Sequence, residues 1–285
     1  MAAQPASNSS GGLAEPFALS FDGPEGSDFE IARDGNAVWC TRRAGANVSV
    51  SMSQLEATLA LDRSLMRGNL GTLKYKVIAS AQAGVFSLGG DLAFFCRCIE
   101  QSDRAALSTY ALLAARAVWA NLSGFGARRI QSIAVVEGEA QGGGFEAALS
   151  CDFLIAERGV YFGFPESLFG LFPGMGGRAL LETKLEPAVA DKILLGAHRY
   201  SAEFLHEIGV VDYLTAPGEA RKLAQTICAL KATVDNNPKR KERREALTFG
   251  RLVTGVEEWV ETAMSLTERN LRAMRYLLSA QQQRA

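Results

Sequence analysis

Apolar and polar positions first fall into short extended runs. Phe29-Glu30-Ile31-Ala32 and Ala37-Val38-Trp39-Cys40 read as two strands, and Asp34-Gly35 between them is a hairpin turn signal. The period then lengthens. Leu55, Leu59, Leu61 and Leu65 give residues 53–70 one apolar face, which predicts a helix. A strand over 73–80 leads into a glycine-rich turn, a helix reaching Glu100 and an Ala/Leu-rich helix over 103–122. A β-branched buried strand over 130–136 follows, then Gly142-Gly143-Gly144, a short helix over 145–150 and a strand over 153–156. Strands separated by helices predict an α/β fold with parallel strands and crossover helices.

From Gly174 onward strand patterns almost vanish. Helices are predicted over 178–185, 188–195, 202–208, 219–233 and 256–281. The last carries an apolar stripe of Trp259, Ala263, Leu266, Leu271, Met274, Leu277 and Leu278, with Glu257, Glu261, Arg269 and Arg272 elsewhere on its circumference. Such a stripe packs on its own core, on a neighbouring subunit or over the mouth of a pocket, and the pattern alone leaves all three open. The expected organisation is a disordered tail over 1–15, an α/β core over 16–200 and a helical C-terminal region over 201–285. Residues 1–13 are Ala/Ser/Asn/Gly-rich and lack the basic flank and apolar block of a signal peptide.

Composition narrows the function classes. A chain of 285 residues is long enough for one α/β domain with a full core. Lys+Arg at 30 against Asp+Glu at 31 gives a net charge of -1, so no basic field exists to hold nucleic acid. No apolar run approaches the ~20 residues needed to cross a bilayer, so neither membrane insertion nor a membrane location is expected; the expected compartment is the cytoplasm. Cys40, Cys96, Cys98, Cys151 and Cys228 are odd in number and scattered, which fits reduced thiols and no metal site. Cys96 and Cys98 flank Arg97 on a predicted helix, so their thiols diverge. No cofactor is expected.

Candidate chemistry gathers on two glycine turns and two glutamates. The first turn is Phe86-Ser87-Leu88-Gly89-Gly90-Asp91-Leu92. It reads either as a tight strand-to-helix connection capped by Asp91 or as a place where a ligand approaches the backbone closely. The second runs Gly138-Glu139-Ala140-Gln141-Gly142-Gly143-Gly144-Phe145-Glu146. Glycines at a helix start leave free N–H groups at the positive end of the helix dipole. The spacing is not that of a dinucleotide fingerprint, and the Lys-Ser/Thr of a phosphate loop is missing. An oxyanion hole remains: one N–H from each turn, aimed at a carbonyl oxygen that gains negative charge. Read separately, Glu146 is also a favourable first-turn residue of a helix and Glu166 a surface loop acid. His198 and His206, the two histidines, lie away from the turns, which argues against a Ser-His-Asp set.

These turns, together with Phe164-Pro165-Glu166 and Phe172-Pro173-Gly174-Met175-Gly176-Gly177, resemble the enoyl-CoA hydratase (crotonase) superfamily in order and spacing from about Phe29 to the C-terminus. The resemblance implies a crotonase-type ββα spiral core with a helical C-terminal region. It further implies Glu146 and Glu166 as an acid/base pair and the N–H groups of Leu88 and Gly143 as oxyanion donors. The expected substrate contacts are Gly89, Gly142, Phe145, Leu168, Phe172 and Met175. Within the superfamily, Ser87–Ala93, Gly142–Cys151 and Pro165–Gly176 look like the bacterial diffusible signal factor synthases. Members of that group dehydrate a 3-hydroxyacyl chain on acyl carrier protein to the cis-2-enoyl form and hydrolyse the thioester. That resemblance also implies a trimer or hexamer and contact with a membrane sensor histidine kinase. Two other readings stay open: an enoyl-CoA hydratase without hydrolysis, its substrate carried on CoA, and a binding protein that keeps the fold to sequester the kinase. The basic run Lys239-Arg240-Lys241-Glu242-Arg243-Arg244 is either a solvated helix face or a docking patch for an acidic carrier or a pantetheine-linked phosphate.

Overall fold

The turn at Asp34-Gly35 is the starting point. Gly35 adopts φ 57°, and β1 (Phe29–Asp34) pairs antiparallel with β2 (Ala37–Arg42) across it. The structure is a computed structural model that describes residues 27–68, 71–127, 130–230, 242 and 245–282. The expected tail over 1–15 lies outside them, as does the basic run apart from Glu242.

Beyond the hairpin, successive strands alternate between two sheets. β3 (Tyr75–Ser80), β5 (Gln131–Val136), β7 (Phe153–Glu157) and β10 (Tyr213–Thr215) extend β1 and β2 into a six-stranded sheet of order β1-β2-β3-β5-β7-β10. β4 (Val85–Ser87), β6 (Glu139–Gln141), β8 (Tyr161–Gly163) and β9 (Arg199–Ser201) form a second sheet in that order. Every pairing is parallel except β1 with β2 and β8 with β9. Each repeat therefore gives one strand to each sheet and then a helix. β3 and β4 lead to α2 (Leu92–Glu100) and α3 (Arg104–Leu122), and β5 and β6 lead to α5 (Gly143–Ser150). Between them, α4 (Gly124–Ala127) is a single turn. After β7 and β8 come a 3-10 turn (Glu166–Phe169) and α6 (Gly177–Glu182). The turns between a second-sheet strand and its helix all stack at one end of the spiral, where the glycines lie.

Local sequence sets the helix starts. Asp91 and Asp103 accept from Phe94 N and Ala106 N, each at 2.9 Å, and cap α2 and α3. Ser51 caps α1 (Met52–Arg67) in the same way. Toward the C-terminus, α7 (Pro187–Leu195), α8 (Ala202–Glu207) and α9 (Ala220–Leu230) follow the expected positions. Two features differ. The three-residue strands β4, β6, β9 and β10 were not predicted, because runs so short carry no readable period. The single helix expected over 256–281 is instead two, α10 (Phe249–Met264) and α11 (Glu268–Gln282). Ser265 closes the first by donating to Glu261 O, and the Asn270 side chain accepts from Thr267 N and Oγ1 at 3.0 and 2.6 Å to start the second.

The apolar stripe on those helices packs on the chain's own core. Trp259, Ala263, Leu271 and Met274 are buried in the cluster that holds α2, α3 and α5. Trp259 meets Phe95 edge-on at 5.2 Å, and Arg275 pairs with Glu100. All five cysteines are buried, and none forms a disulfide. Among the described residues no helix is long and apolar enough to cross a membrane.

Candidate active site

The first glycine turn leaves β4 at Leu88. Its N–H donates to Val48 O at 3.0 Å, and Val50 N donates to Gly89 O at 2.8 Å. The amide of Leu88 is therefore occupied by the backbone of a preceding loop. The expectation that it serves as an oxyanion donor is corrected: the free donor on this turn is the N–H of Gly90, for which the described residues supply no acceptor. Gly89 makes the turn possible. It sits at φ 89°, and a Cβ there would stand 3.0 Å from Gln141 O and 3.2 Å from Gly143 N. The two turns thus pack directly against each other.

On the facing turn, Gly142 begins α5 at φ 50°. A Cβ on it would lie 2.4 Å from Glu166 Oε1. Gly143 is the first helical residue, so its N–H has no partner within the helix, and the described residues provide no other. Gly90 N is 3.8 Å from the position a Gly143 Cβ would take. Two unsatisfied amides from separate loops flank one spot, at the positive end of a helix.

Both glutamates reach the same wall. Glu146, on the first turn of α5, is 1% exposed, and its Oε1 accepts from Met175 N at 2.9 Å and Gly177 N at 2.8 Å. Glu166 opens the 3-10 turn after β8, and its Oε2 is shielded from solvent with no hydrogen-bond partner. Burial raises the Glu146 carboxyl to about 7, opposed by the two amide donors. Burial raises Glu166 further, to about 8, and the neighbouring Glu146 adds to the rise. Among the described residues no cation relieves either group. Two carboxyls in one dry site separate in proton affinity, so that near neutral pH the pair shares one proton.

These groups border a cavity of about 310 Å³. Leu88, Gly89, Gly142, Gly143, Glu146, Glu166 and Met175 all lie on its wall. Three of the expected substrate contacts do not. Phe145 is fully buried on the other side of α5, stacked on Phe164 at 4.9 Å and tilted on Phe162 at 5.0 Å. Leu168 is 57% exposed on the outer face of its turn, and Phe172 packs against the core away from the cavity. In each case the side-chain direction follows from helix phase and turn geometry that sequence does not show. Sequence reasoning also missed Gln141, Trp259 and Gln281 on the wall. Gln281 of α11 donates to Leu88 O at 2.9 Å and ties the last helix to the first turn. The apolar stripe on that helix was the available signal for it.

The comparisons agree with this geometry. The chain matches the family model described as enoyl-CoA hydratase/isomerase over residues 66–242. A carnitinyl-CoA dehydratase of Salmonella typhimurium is 38% identical over 99 residues, 33% of this chain and 38% of that relative. This chain therefore spans well under half the length of that relative. DspI of Pseudomonas aeruginosa is 27% identical with a TM-score of 0.67, covering 94% of this chain and 90% of that one. An enoyl-CoA hydratase of Bacillus halodurans shares the fold with a TM-score of 0.74 at 16% identity, covering 88% of this chain and all of that one. With more than half of its length inside the family model, this chain belongs to the enoyl-CoA hydratase/isomerase family.

Proposed function

We propose that the protein dehydrates a 3-hydroxyacyl thioester carried on acyl carrier protein and then hydrolyses the thioester, releasing a cis-2-unsaturated fatty acid that acts as a diffusible signal. One observation carries the reading: two buried carboxyls with no counter-cation share a cavity with two unsatisfied amides, Gly90 N–H and Gly143 N–H. The amides hold the thioester oxygen and stabilise the enolate that forms when the α-proton leaves. In the dehydration sense Glu166 takes that proton and Glu146 gives one to the departing hydroxyl, which leaves as water. In the hydration sense the same proton traffic runs backwards, with ionised Glu146 taking a proton from water and Glu166 supplying the α-carbon. Either way the pair carries a single shared proton, as the separated affinities require. For hydrolysis, an ionised glutamate draws a proton from water as it attacks the carbonyl, and the same amides hold the tetrahedral oxyanion. The oxyanion then collapses, the C–S bond breaks, and the departing thiolate of the carrier takes the proton from the glutamate as the free acid is released. No side-chain nucleophile enters.

Support for the signal-synthase assignment comes from the phrases around Leu88, Phe145 and Leu168 in the sequence. The stretch shared with a carnitinyl-CoA dehydratase favours a second reading, a CoA-linked hydratase or dehydratase with no hydrolysis. Mass spectrometry of products from 3-hydroxyacyl thioesters on both carriers separates the two. Free unsaturated acid from the carrier-protein substrate is the expected result, and an enoyl thioester that stays intact would favour the second.

A further inference from the structure

Residues of β3, α1 and α3 line the cavity together with the glutamates. Leu55 and Thr58 of α1 line one side and Ala111, Ala114 and Val118 of α3 the other, at spacings that keep each set on one helix face. The alanines leave a narrow apolar channel. It reaches Lys76, near the start of β3 and four residues before Ser80, or roughly 13 Å along the strand from the end that leads to the glycine turns.

Lys76 brings a charge to this part of the wall, with Asp62 buried behind it. Lys76 is 1% exposed, and its Nζ donates to Asp62 Oδ1 at 2.5 Å. The ammonium also stands 5.2 Å from the centre of the Phe125 ring, which is fully buried. Asp62 Oδ2 is shielded and has no hydrogen-bond partner. A lysine ammonium has three donors, and a single hydrogen bond engages this one. An ion pair with unmet hydrogen-bonding capacity, set at the bottom of an apolar channel, is an unfavourable neighbour for a methyl group. The pair contributes no group to the chemistry at the glutamates.

We infer that the buried Lys76–Asp62 pair is the stop that sets the length of acyl chain the cavity accepts. The channel rewards each added methylene until the chain end meets the pair, and the next carbons have no apolar surface to occupy. This inference rests on the reading of the cavity as an acyl site but not on the chemistry at its other end.

Binding of saturated straight-chain fatty acids of increasing even length, read by quenching of tryptophan fluorescence with Trp259 on the cavity wall, tests the stop without turnover. Affinity in the unaltered protein is expected to climb with length and then fall about tenfold or more at one step, the scale on which a tight apolar pocket discriminates methylenes. The K76A/D62A variant removes both charges together and opens apolar space, and its fall should move to a longer chain. A smooth length profile in the unaltered protein overturns the inference. So does a fall at the same length in folded K76A/D62A. Tighter binding of an ω-hydroxy fatty acid than of its methyl-ended counterpart also overturns it, since the pair would then be a polar subsite. Should the double variant fail to fold, the length profile and the ω-hydroxy comparison still decide. A protein that shows the length limit yet turns over no 3-hydroxyacyl thioester supports the stop and refutes the proposed function.

Discussion

Lys76 lines the cavity with Asp62 buried behind it, whereas Glu146 and Glu166 are buried on its wall with no cation beside them among the described residues. The surroundings are otherwise alike: apolar side chains, little solvent and few polar partners. The difference lies in how the charge is answered. Asp62 has an opposite charge in contact, and the pair ties α1 to β3. The glutamates have backbone amides on one side, at Glu146, and each other. Uncompensated burial raises both proton affinities toward neutrality, where a carboxyl can both take and give a proton. Burial raises the Asp62 carboxyl too, but the Lys76 charge and hydrogen bond oppose the rise, and the pair makes a fixed wall. On the proposed function, one cavity holds a reactive end and an inert end, built from the same kinds of residue.

Replacing either glutamate by its amide should break the reactive end with the largest effect. E146Q and E166Q are each expected to lower dehydration of a 3-hydroxyacyl thioester by about 10²–10⁴-fold in steady-state kinetics, the usual worth of a positioned acid or base. Thermal melts of both should show no loss of stability, since a neutral amide is easier to bury than a carboxylate. At the inert end the expected effect is on stability. K76M alone leaves Asp62 buried and unpaired and should cost about 3–5 kcal/mol in chemical denaturation, whereas K76M/D62L should return close to the unaltered protein. A double variant as unstable as the single would remove the contrast between the ends.

Smaller effects sharpen the comparison. A methyl at Gly142 would meet Glu166 Oε1 at 2.4 Å, whereas one at Gly143 meets the flexible tip of Met175 at 2.7 Å. G142A should therefore lose about 10–100-fold more kcat/KM than G143A, by displacing a catalytic carboxyl. The pH dependence is the mildest test. Because the folded values lie above the ordinary 4.5, at about 7 and about 8, the folded state binds more protons than the unfolded one between those limits. Stability contributed by this pair is full below about 4.5, declines as pH rises toward 8 and is flat above. E166Q should show a shallower decline in denaturation midpoints across that range, and a slope equal to that of the unaltered protein would contradict the assignment. Activity should peak where one proton is shared, between about 7 and 8.

Much of this arrangement is legible in the residues. Asp34-Gly35 announces the first hairpin, the capping aspartates announce α2 and α3, and the family resemblance carried by the glycine turns implies that Glu146 and Glu166 share a site. What is not legible depends on contacts between distant segments. Which amide of the Leu88-Gly89-Gly90 turn is free is decided by Val48, forty residues earlier, whose carbonyl takes the Leu88 N–H. Phe145 sits beside Glu146 in sequence, but a helix turns neighbours about 100° apart, so one faces the cavity and the other the core. The break between α10 and α11 is hidden because the apolar period continues across it while Thr267 and Asn270 restart the backbone. Lys76 gives no hint of its role, since a lone lysine in Tyr75-Lys76-Val77-Ile78 reads as a solvent-facing strand position until Asp62 of α1 is placed over it.

Product analysis by mass spectrometry tests the central claim most directly, using purified protein given a 3-hydroxyacyl chain on acyl carrier protein, beside the E146Q/E166Q double variant. The account predicts free unsaturated fatty acid from the unaltered protein and unreacted hydroxyacyl carrier from the variant. Release of the unsaturated acid by the double variant at an undiminished rate would contradict it.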